Sequence, residues 1–266
     1  MRNVLLPSTR LPYHIVKGSV AARAANSEKL TQKIYESLSE GIKTDKTILK
    51  FETIQNRLLK LIPGVKVKVQ KSKKPDCEAL IDVFGSKKGI VYGYLLGIKR
   101  PENKVRVGFF PMLMHEIQHL SDYLYNPKNL AREQKLIKIQ EKFHKYNNFY
   151  LKYMYDEYPS DSPQMRKLYM YYVKSALYDF VKKADENYII DFLQDIRYTL
   201  KSETNAYKKQ IEYAHKLQEK GFKINPQDFQ ERIKYFMFEE KIKLLEETLY
   251  ILIKKQRMNN AQKINK

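Results

Sequence analysis

The 266-residue sequence predicts an α+β protein in which a small antiparallel or mixed sheet is followed by a large helical half. Apolar residues recur at helical spacing up to Pro63, alternate with polar residues from Val65, and return to helical spacing after Pro111. A hydrophobic content of 43%, with 21 tyrosines and 12 phenylalanines, is too high for a disordered chain. The length suits one large domain or two small ones, with a sizeable core.

Two helices are predicted within residues 27–62. The first begins near Ser27, a residue type that caps helices, and ends at Gly41. The second begins at Thr44 and Asp45 and ends before Pro63, because proline interrupts a helix. An apolar stripe with helical spacing also predicts this second helix, and its members are Ile48, Phe51, Ile54, Leu58 and Leu61.

Residues 65–110 show the patterns that are typical of strands. The first strand is predicted by apolar residues at every second position, namely Val65, Val67 and Val69. Two apolar runs, at 79–84 and 90–98, flank the glycine- and lysine-containing stretch 85–89, which predicts a hairpin. A further apolar run at 105–110 completes the expected sheet.

Almost all of the chain after Pro111 is predicted to be helical. Pro111 suits the first turn of a helix that ends near Asn126. Gly221 ends a long helix that is predicted over residues 185–220. Further helices are expected to begin where a capping residue precedes a proline, at Asn126-Pro127, Ser162-Pro163 and Asn225-Pro226.

The net charge of +20 raises the question of a nucleic-acid partner. Of the 50 basic residues, 39 are lysine and 11 are arginine, and the lysines are spread along the whole chain. Arginine is the residue that binds phosphate and guanine edges with two hydrogen bonds. Nucleic acid therefore remains an alternative partner that the composition does not favour.

The cysteine count and the lengths of the apolar runs indicate the compartment in which the protein is expected. Cys77 is the single cysteine, which excludes an internal disulfide framework and favours a reducing compartment. No run approaches the ~20 apolar residues that a membrane span needs, and the first ten residues lack the apolar stretch of a signal peptide. We therefore expect no membrane partner and a cytoplasmic location, or a virion if a phage encodes the chain.

The most informative segment is His115-Glu116-x-x-His119, on the helix predicted after Pro111. Residues i and i+4 lie on the same face of a helix, so both imidazoles can approach one metal ion. Two imidazole nitrogens, a carboxylate oxygen and a water form a coordination sphere that suits Zn²⁺. The pattern predicts His115 and His119 as zinc ligands. Glu116 is predicted to be the general base that accepts a proton from a metal-activated water.

A third protein ligand is required. A third histidine at the spacing HExxHxxGxxH is excluded, because those positions hold Asp122 and Tyr125. Asp122 lies on the same face of the helix as both histidines, and its position favours a hydrogen bond to a ligand histidine over metal binding. The remaining histidines have no supporting pattern around them, and they are His14, His144 and His215.

Glu203 is the preferred third ligand. It lies within the apolar stripe of the predicted helix 185–220, between Leu200 and Tyr207. A carboxylate buried without a partner costs several kcal/mol, so Glu203 is expected to bind a metal or to be paired. An ion pair with Arg197 or a lysine is the alternative, and Glu157 is the reserve ligand.

These residues resemble the active-site helices of the zincin metallopeptidases. The segment from His115 to His119 matches their HExxH motif. Glu203-x-x-Ala206 resembles the second-helix motif of the gluzincin branch, where a glutamate completes two-histidine ligation and a small residue lets the helices pack closely. The resemblance covers only the sheet and these two helices. It departs from compact gluzincins, whose glutamate follows the second histidine much sooner.

The resemblance implies a zinc-dependent metallopeptidase that hydrolyses protein or peptide substrates through a metal-activated water. It also implies a strand at the edge of the cleft that pairs with an extended substrate, for which the runs 90–98 and 105–110 are candidates. Zincins often have a tyrosine or histidine that stabilises the oxyanion, and Tyr207, one turn after Glu203, is the candidate here.

In this interpretation the chain has three parts. Residues 1–64 form an N-terminal helical segment, residues 65–220 form the zincin-like catalytic region, and residues 221–266 form a C-terminal helix. Residues 127–184 are then a helical insertion between the two metal-binding helices.

Two other function classes stay open. The composition, the absent secretion signal, the charge and the helical insertion also fit a structural or assembly protein that retains a zincin-like fold. A phage virion or tail-associated component is an example, and its partners would be other virion proteins. The third alternative is a basic nucleic-acid-associated protein, whose affinity should fall steeply with added salt.

Overall fold

The structure, a computed structural model, describes residues 20–63, 65–71, 79–85, 91–99, 103–158 and 162–264. Within these ranges the predicted α+β class is confirmed. The strands are β1 (Ile48–Lys50), β2 (Val67–Lys71), β3 (Ala79–Gly85), β4 (Val91–Ile98) and β5 (Lys104–Arg106). The helices are α1 (Val20–Ser39), α2 (Phe51–Leu61), α3 (Phe110–Tyr125), α4 (Pro127–Lys142), α5 (His144–Tyr155), α6 (Pro163–Lys183), α7 (Glu186–Glu219), α8 (Pro226–Phe236) and α9 (Phe238–Ile264). None of these helices is long and apolar enough to cross a membrane.

The described strands form two small sheets. In the three-stranded sheet the order is β2-β4-β3, with β2 parallel and β3 antiparallel to β4. The sheet is therefore mixed, as the sequence allowed. The antiparallel pairing of β3 with β4 agrees with the predicted hairpin, whose turn at 86–90 lies outside the described residues. In the second sheet β1 pairs antiparallel with β5.

The N-terminal helices differ from the prediction at their starts. The first helix, α1, begins at Val20 rather than near Ser27. The expected start of the second helix at Thr44 and Asp45 is wrong, because β1 occupies residues 48–50 and α2 begins only at Phe51. The strand forms because β1 finds a partner in β5, and the backbone N–H of Phe51 donates to the Asn103 carbonyl oxygen at 2.9 Å. Long-range strand pairing has overridden a local helical pattern.

The later helix boundaries lie close to the starts and ends predicted from proline, capping residues and glycine. Prolines 127, 163 and 226 begin α4, α6 and α8, and Gly221, with φ +86°, follows the end of α7. The expected strand at 105–110 is shorter, because β5 ends at Arg106 and a single 3₁₀ turn leads into α3. The expected single C-terminal helix is two helices, because Met237 adopts φ 50°, a left-handed conformation that interrupts the α-helix.

The chain forms two compact units. The first comprises the described residues up to Ala131 together with Asn205–Phe229, and the second comprises Arg132–Thr204 with the described residues from Gln230 onward. Helix α7 is continuous through both sets of residues. In the first unit, α1, α2, the strands and α3 contribute to one apolar core, with fully buried side chains that include Ile34, Leu38, Ile54, Leu96 and Phe110.

The core of the second unit is aromatic. The rings of Phe149 and Phe180 stack with centroids 4.1 Å apart, and Phe192 approaches Phe180 at 5.6 Å. Lys241 is fully buried beside this core, and its Nζ donates to the Asp156 carbonyl oxygen at 3.1 Å. Burial lowers the pKa of Lys241 to about 8. The hydrogen bond to a carbonyl oxygen offsets part of the cost of burying the ammonium group.

Asp195 is a buried carboxyl group whose ionisation should cost stability. It lies on α7 with 6% of its surface exposed, and its Oδ2 accepts no hydrogen bond from the described residues. Burial raises the pKa of Asp195 to about 6, although Lys135 and Arg132 oppose the shift. Because the folded-state pKa exceeds the ordinary value of 3.8, the unfolded chain loses this proton first. Stability should therefore fall as the pH rises from about 4 to about 6.

The Asp195→Asn variant is expected to unfold with a free energy higher by about 1–3 kcal/mol at pH 8 and nearly unchanged at pH 4. Urea unfolding at both pH values, followed by circular dichroism, measures this difference. The matched control is Asp191→Asn on the same helix, since Asp191 is exposed and pairs with Lys135 at 2.6 Å. The control should change by less than about 1 kcal/mol at either pH. An equal gain at both pH values for Asp195→Asn would contradict the raised pKa.

Candidate metal centre

Helix α3 carries the HExxH segment through the core of the first unit. Five of its apolar side chains, at alternating spacings of three and four residues, are completely buried: Phe110, Leu113, Ile117, Leu120 and Leu124. The polar residues of the motif are buried on the same helix, with His115 5%, Glu116 8% and His119 8% exposed. Burying these groups destabilises the fold unless they are bonded to each other, to neighbours or to a metal.

The two histidines point their nitrogens at each other. The Nε2 atoms of His115 and His119 are 3.2 Å apart, and the rings are inclined at 72° with centroids 4.9 Å apart. Two nitrogens bound to one tetrahedral zinc at about 2.0–2.1 Å lie about 3.3 Å from each other. The spacing of the two imidazoles therefore suits a shared metal ion.

Glu203 on α7 completes a group of three. One ligand atom each from His115, His119 and Glu203 lies within 4.8 Å of the others. Tyr207 lies one turn after Glu203 on the same helix, and its ring meets the His115 ring edge-on, with centroids 4.5 Å apart. This contact agrees with a position of Glu203 near the histidines. Ala206, the small residue of the predicted second-helix motif, is fully buried. His115, His119 and Glu203 thus form a group that could hold a metal ion.

The chemistry of the group fits one metal class best. Two imidazole nitrogens and one carboxylate oxygen are the ligands of catalytic zinc sites that keep a fourth position for water or substrate. A hard cation such as Mg²⁺ or Ca²⁺ prefers oxygen ligands alone. Among the described residues, Glu157, His144 and His215 belong to no such group, and His14 lies outside them.

Asp122 is placed beside the histidines, within a network of hydrogen bonds from α1 and α3. Its Oδ1 accepts a hydrogen bond from Ser27 Oγ at 2.6 Å and another from Gln118 Nε2 at 2.9 Å. Burial raises the pKa of Asp122, while the Ser27 hydrogen bond and the charge of His119 oppose the shift. The predicted direct hydrogen bond between Asp122 and a ligand histidine, in which the carboxylate would accept, stays a prediction.

Ser27 and Gln118 are site neighbours that are not among the residues predicted from the sequence. Ser27 has the residue type of a helix cap, and in the structure it lies inside α1, where it is 2% exposed. Gln118 precedes Asp122 by one helical turn, which was a usable signal because i and i+4 residues meet on a helix. The contact between Ser27 and Asp122 joins two distant helices and has no local signature.

The strands beside α3 correct one expectation. Residues 94–98 of the run 90–98 offer no free strand edge, because there β4 is hydrogen-bonded on both sides, to β2 and to β3. Within the described sheet β3 is an outer strand, and it packs against α3. Strand β5, the other candidate, is short and pairs with β1.

Comparison with known proteins gives no match, whether to a family model, to a curated protein or to a solved structure. The class of protein is therefore inferred from the site itself. The fold and the site together define the chain as an α+β protein with a candidate metal centre of two histidines and one glutamate. Glu116 is the residue next to its first histidine.

Proposed function

We propose that the chain is a zinc-dependent metallopeptidase of the zincin type that hydrolyses peptide bonds in protein or peptide substrates. The observation that carries this proposal is the convergence of His115, His119 and Glu203, whose ligand atoms lie within 4.8 Å of one another. Three separate parts of the pattern agree with it: the ligand types, the distance between the imidazole nitrogens, and a buried glutamate next to the first histidine.

His115, His119 and Glu203 would hold the zinc, which when bound supplies a Lewis acid that polarises the scissile carbonyl and acidifies water. Glu116 cannot share the face of His115 and His119, since adjacent helical residues point in different directions. We therefore assign Glu116 to proton transfer rather than to metal binding. In this proposal its carboxylate accepts a proton from the attacking water and delivers it to the amine that leaves.

Two further features of the chain suit a peptide substrate. Tyr207 touches His115 through its ring and is the candidate donor of a hydrogen bond to the oxyanion. The outer strand β3, which packs against α3, replaces the run 90–98 as the candidate edge to which an extended peptide adds as a further strand.

Proteolysis with and without metal tests this function. The full chain, supplied with zinc, is expected to cleave an unfolded substrate such as β-casein. Activity should disappear with a chelator and return when zinc is restored. Electrophoresis of the casein, with the His119→Ala variant from the same purification as control for contaminating proteases, measures the result. Cleavage that persists equally in His119→Ala or in the presence of chelator would contradict the proposal.

A further inference from the structure

Helix α6 presents an apolar face that the fold leaves exposed. Its core-facing residues are buried, and they are Tyr169, Val173, Leu177 and Phe180. Leu168 and Tyr171, by contrast, are 61% and 64% exposed. Helical spacing places the exposed apolar residues of α6 in a second stripe beside the buried one. This exposed stripe comprises Met165, Leu168, Tyr171, Tyr172 and Tyr178. Contiguous exposed apolar surface of this kind marks an interaction site more often than isolated residues do.

A groove of about 600 Å³ lies along this stripe. Its lining is apolar and aromatic, and it includes Tyr158, Met165, Leu168, Tyr169, Tyr171 and Tyr172. Tyr169 is fixed at its base, because its hydroxyl donates to the Asp156 carbonyl oxygen at 2.8 Å and its ring stacks on Tyr158 at 5.0 Å. The base of the groove is therefore held in place, which lowers the entropy cost of binding.

Basic residues outnumber acidic ones on the helix that carries the apolar stripe. Helix α6 has a single acidic residue, Asp179, and five basic residues, namely Arg166, which is paired with Glu240 at 3.1 Å, and Lys167, Lys174, Lys182 and Lys183. The ammonium group of Lys152 lies 4.5 Å from the ring centre of Tyr172, and that of Lys174 lies 5.7 Å from the ring centre of Tyr178. An apolar groove with a positive rim is complementary to an apolar side chain flanked by carboxylates.

We propose that this groove, formed by α6 and Tyr158, binds an acidic segment of a partner protein that inserts a bulky apolar side chain. A second copy of the chain fits poorly, because it would bring two positively charged helices together. Single-stranded nucleic acid needs bare ring faces for stacking, and Lys152 already approaches the ring of Tyr172, which lines the groove. The groove is also concave, which suits an inserted side chain better than a lipid surface does.

Fluorescence anisotropy with a defined probe tests the proposal. The probe is a short fluorescein-labelled peptide with a Phe-Leu pair between runs of Asp and Glu. The full chain is expected to bind it saturably. Leu168→Ser should weaken binding roughly fivefold or more, because Leu168 is an exposed residue that lines the groove. Lys152→Glu should also weaken binding of the peptide, and by a larger factor at low salt than at high salt. The matched control is Tyr250→Ser, at an exposed position of α9 outside the groove lining.

Several outcomes would overturn the proposal. Absence of saturable binding, or binding that Leu168→Ser leaves unchanged, removes the groove as the site. Tighter binding of an oligothymidine or of phosphatidylserine vesicles, lost in Leu168→Ser, assigns the face to nucleic acid or to lipid instead. Self-association that Leu168→Ser abolishes assigns it to a second copy. None of these measurements involves His115 or zinc, so their result is independent of the proposed peptidase activity.

Discussion

The Glu116→Gln variant is expected to hydrolyse β-casein at least about 10²-fold more slowly than the native chain while it retains bound zinc. Glutamine has nearly the size of glutamate, but its amide cannot accept the proton of the attacking water. Glu116 is 8% exposed and is not one of the three side chains of the candidate metal group, so the substitution should leave the fold and the metal site in place. Initial rates of cleavage and the zinc content of the same samples measure both parts of the prediction.

The possible results of this experiment separate the function classes. Equal rates in the native chain and in Glu116→Gln would show that another group moves the proton. If neither protein cleaves casein and both hold zinc, the metal has a structural role, and a structural or assembly protein with a zincin-like fold becomes the better account. Loss of activity together with loss of zinc would mean that Glu116 supports the metal site rather than the chemistry.

The Glu203→Ala variant is expected to bind zinc at least about 10²-fold more weakly, because loss of a residue that merely supports a ligand already costs 10–100-fold. Titration of zinc against a chromophoric chelator at fixed pH measures the affinity, and the pH must be held because zinc binding releases protons. The matched control is Glu212→Ala on the same helix, where Glu212 forms surface ion pairs with Lys209 and Lys216. The control should keep the native affinity.

Native zinc affinity in Glu203→Ala would remove Glu203 from the ligand set. The ion pair that the sequence left open for Glu203 would then be the better account of its position. A large loss of affinity in both Glu203→Ala and Glu212→Ala would instead indicate that α7 had been destabilised as a whole. Circular dichroism of the two variants distinguishes that case.

The candidate site could be predicted where its chemistry is local in sequence. His115 and His119 face one another because residues four apart meet on a helix, so the motif alone fixed their relation. Glu203 could be predicted from a different signal, a carboxylate within an apolar stripe. That signal indicates that the carboxylate needs a partner, but it does not identify the partner. The contact of Ser27 with Asp122 could not be predicted, since it depends on how two distant helices pack.

The fold shows the same division between local and long-range information. Proline after a capping residue marked the starts of α4, α6 and α8, since it acts on its own helix. Strand β1 was missed because it depends on a partner, β5, far along the chain. Strand order was also inaccessible, because periodicity gives the faces of β4 but not its neighbours. Met237 has no residue-type preference for a positive φ that would have divided the last helix.

The zinc content of the purified full chain tests the central claim most directly. After incubation with zinc and removal of the excess, mass spectrometry of the metal should find about one zinc per native chain. The His115→Ala variant, prepared in the same way and shown to be folded by circular dichroism, should hold almost none. A native chain without zinc, or a metal content that His115→Ala leaves unchanged, would contradict a metal centre built from His115, His119 and Glu203.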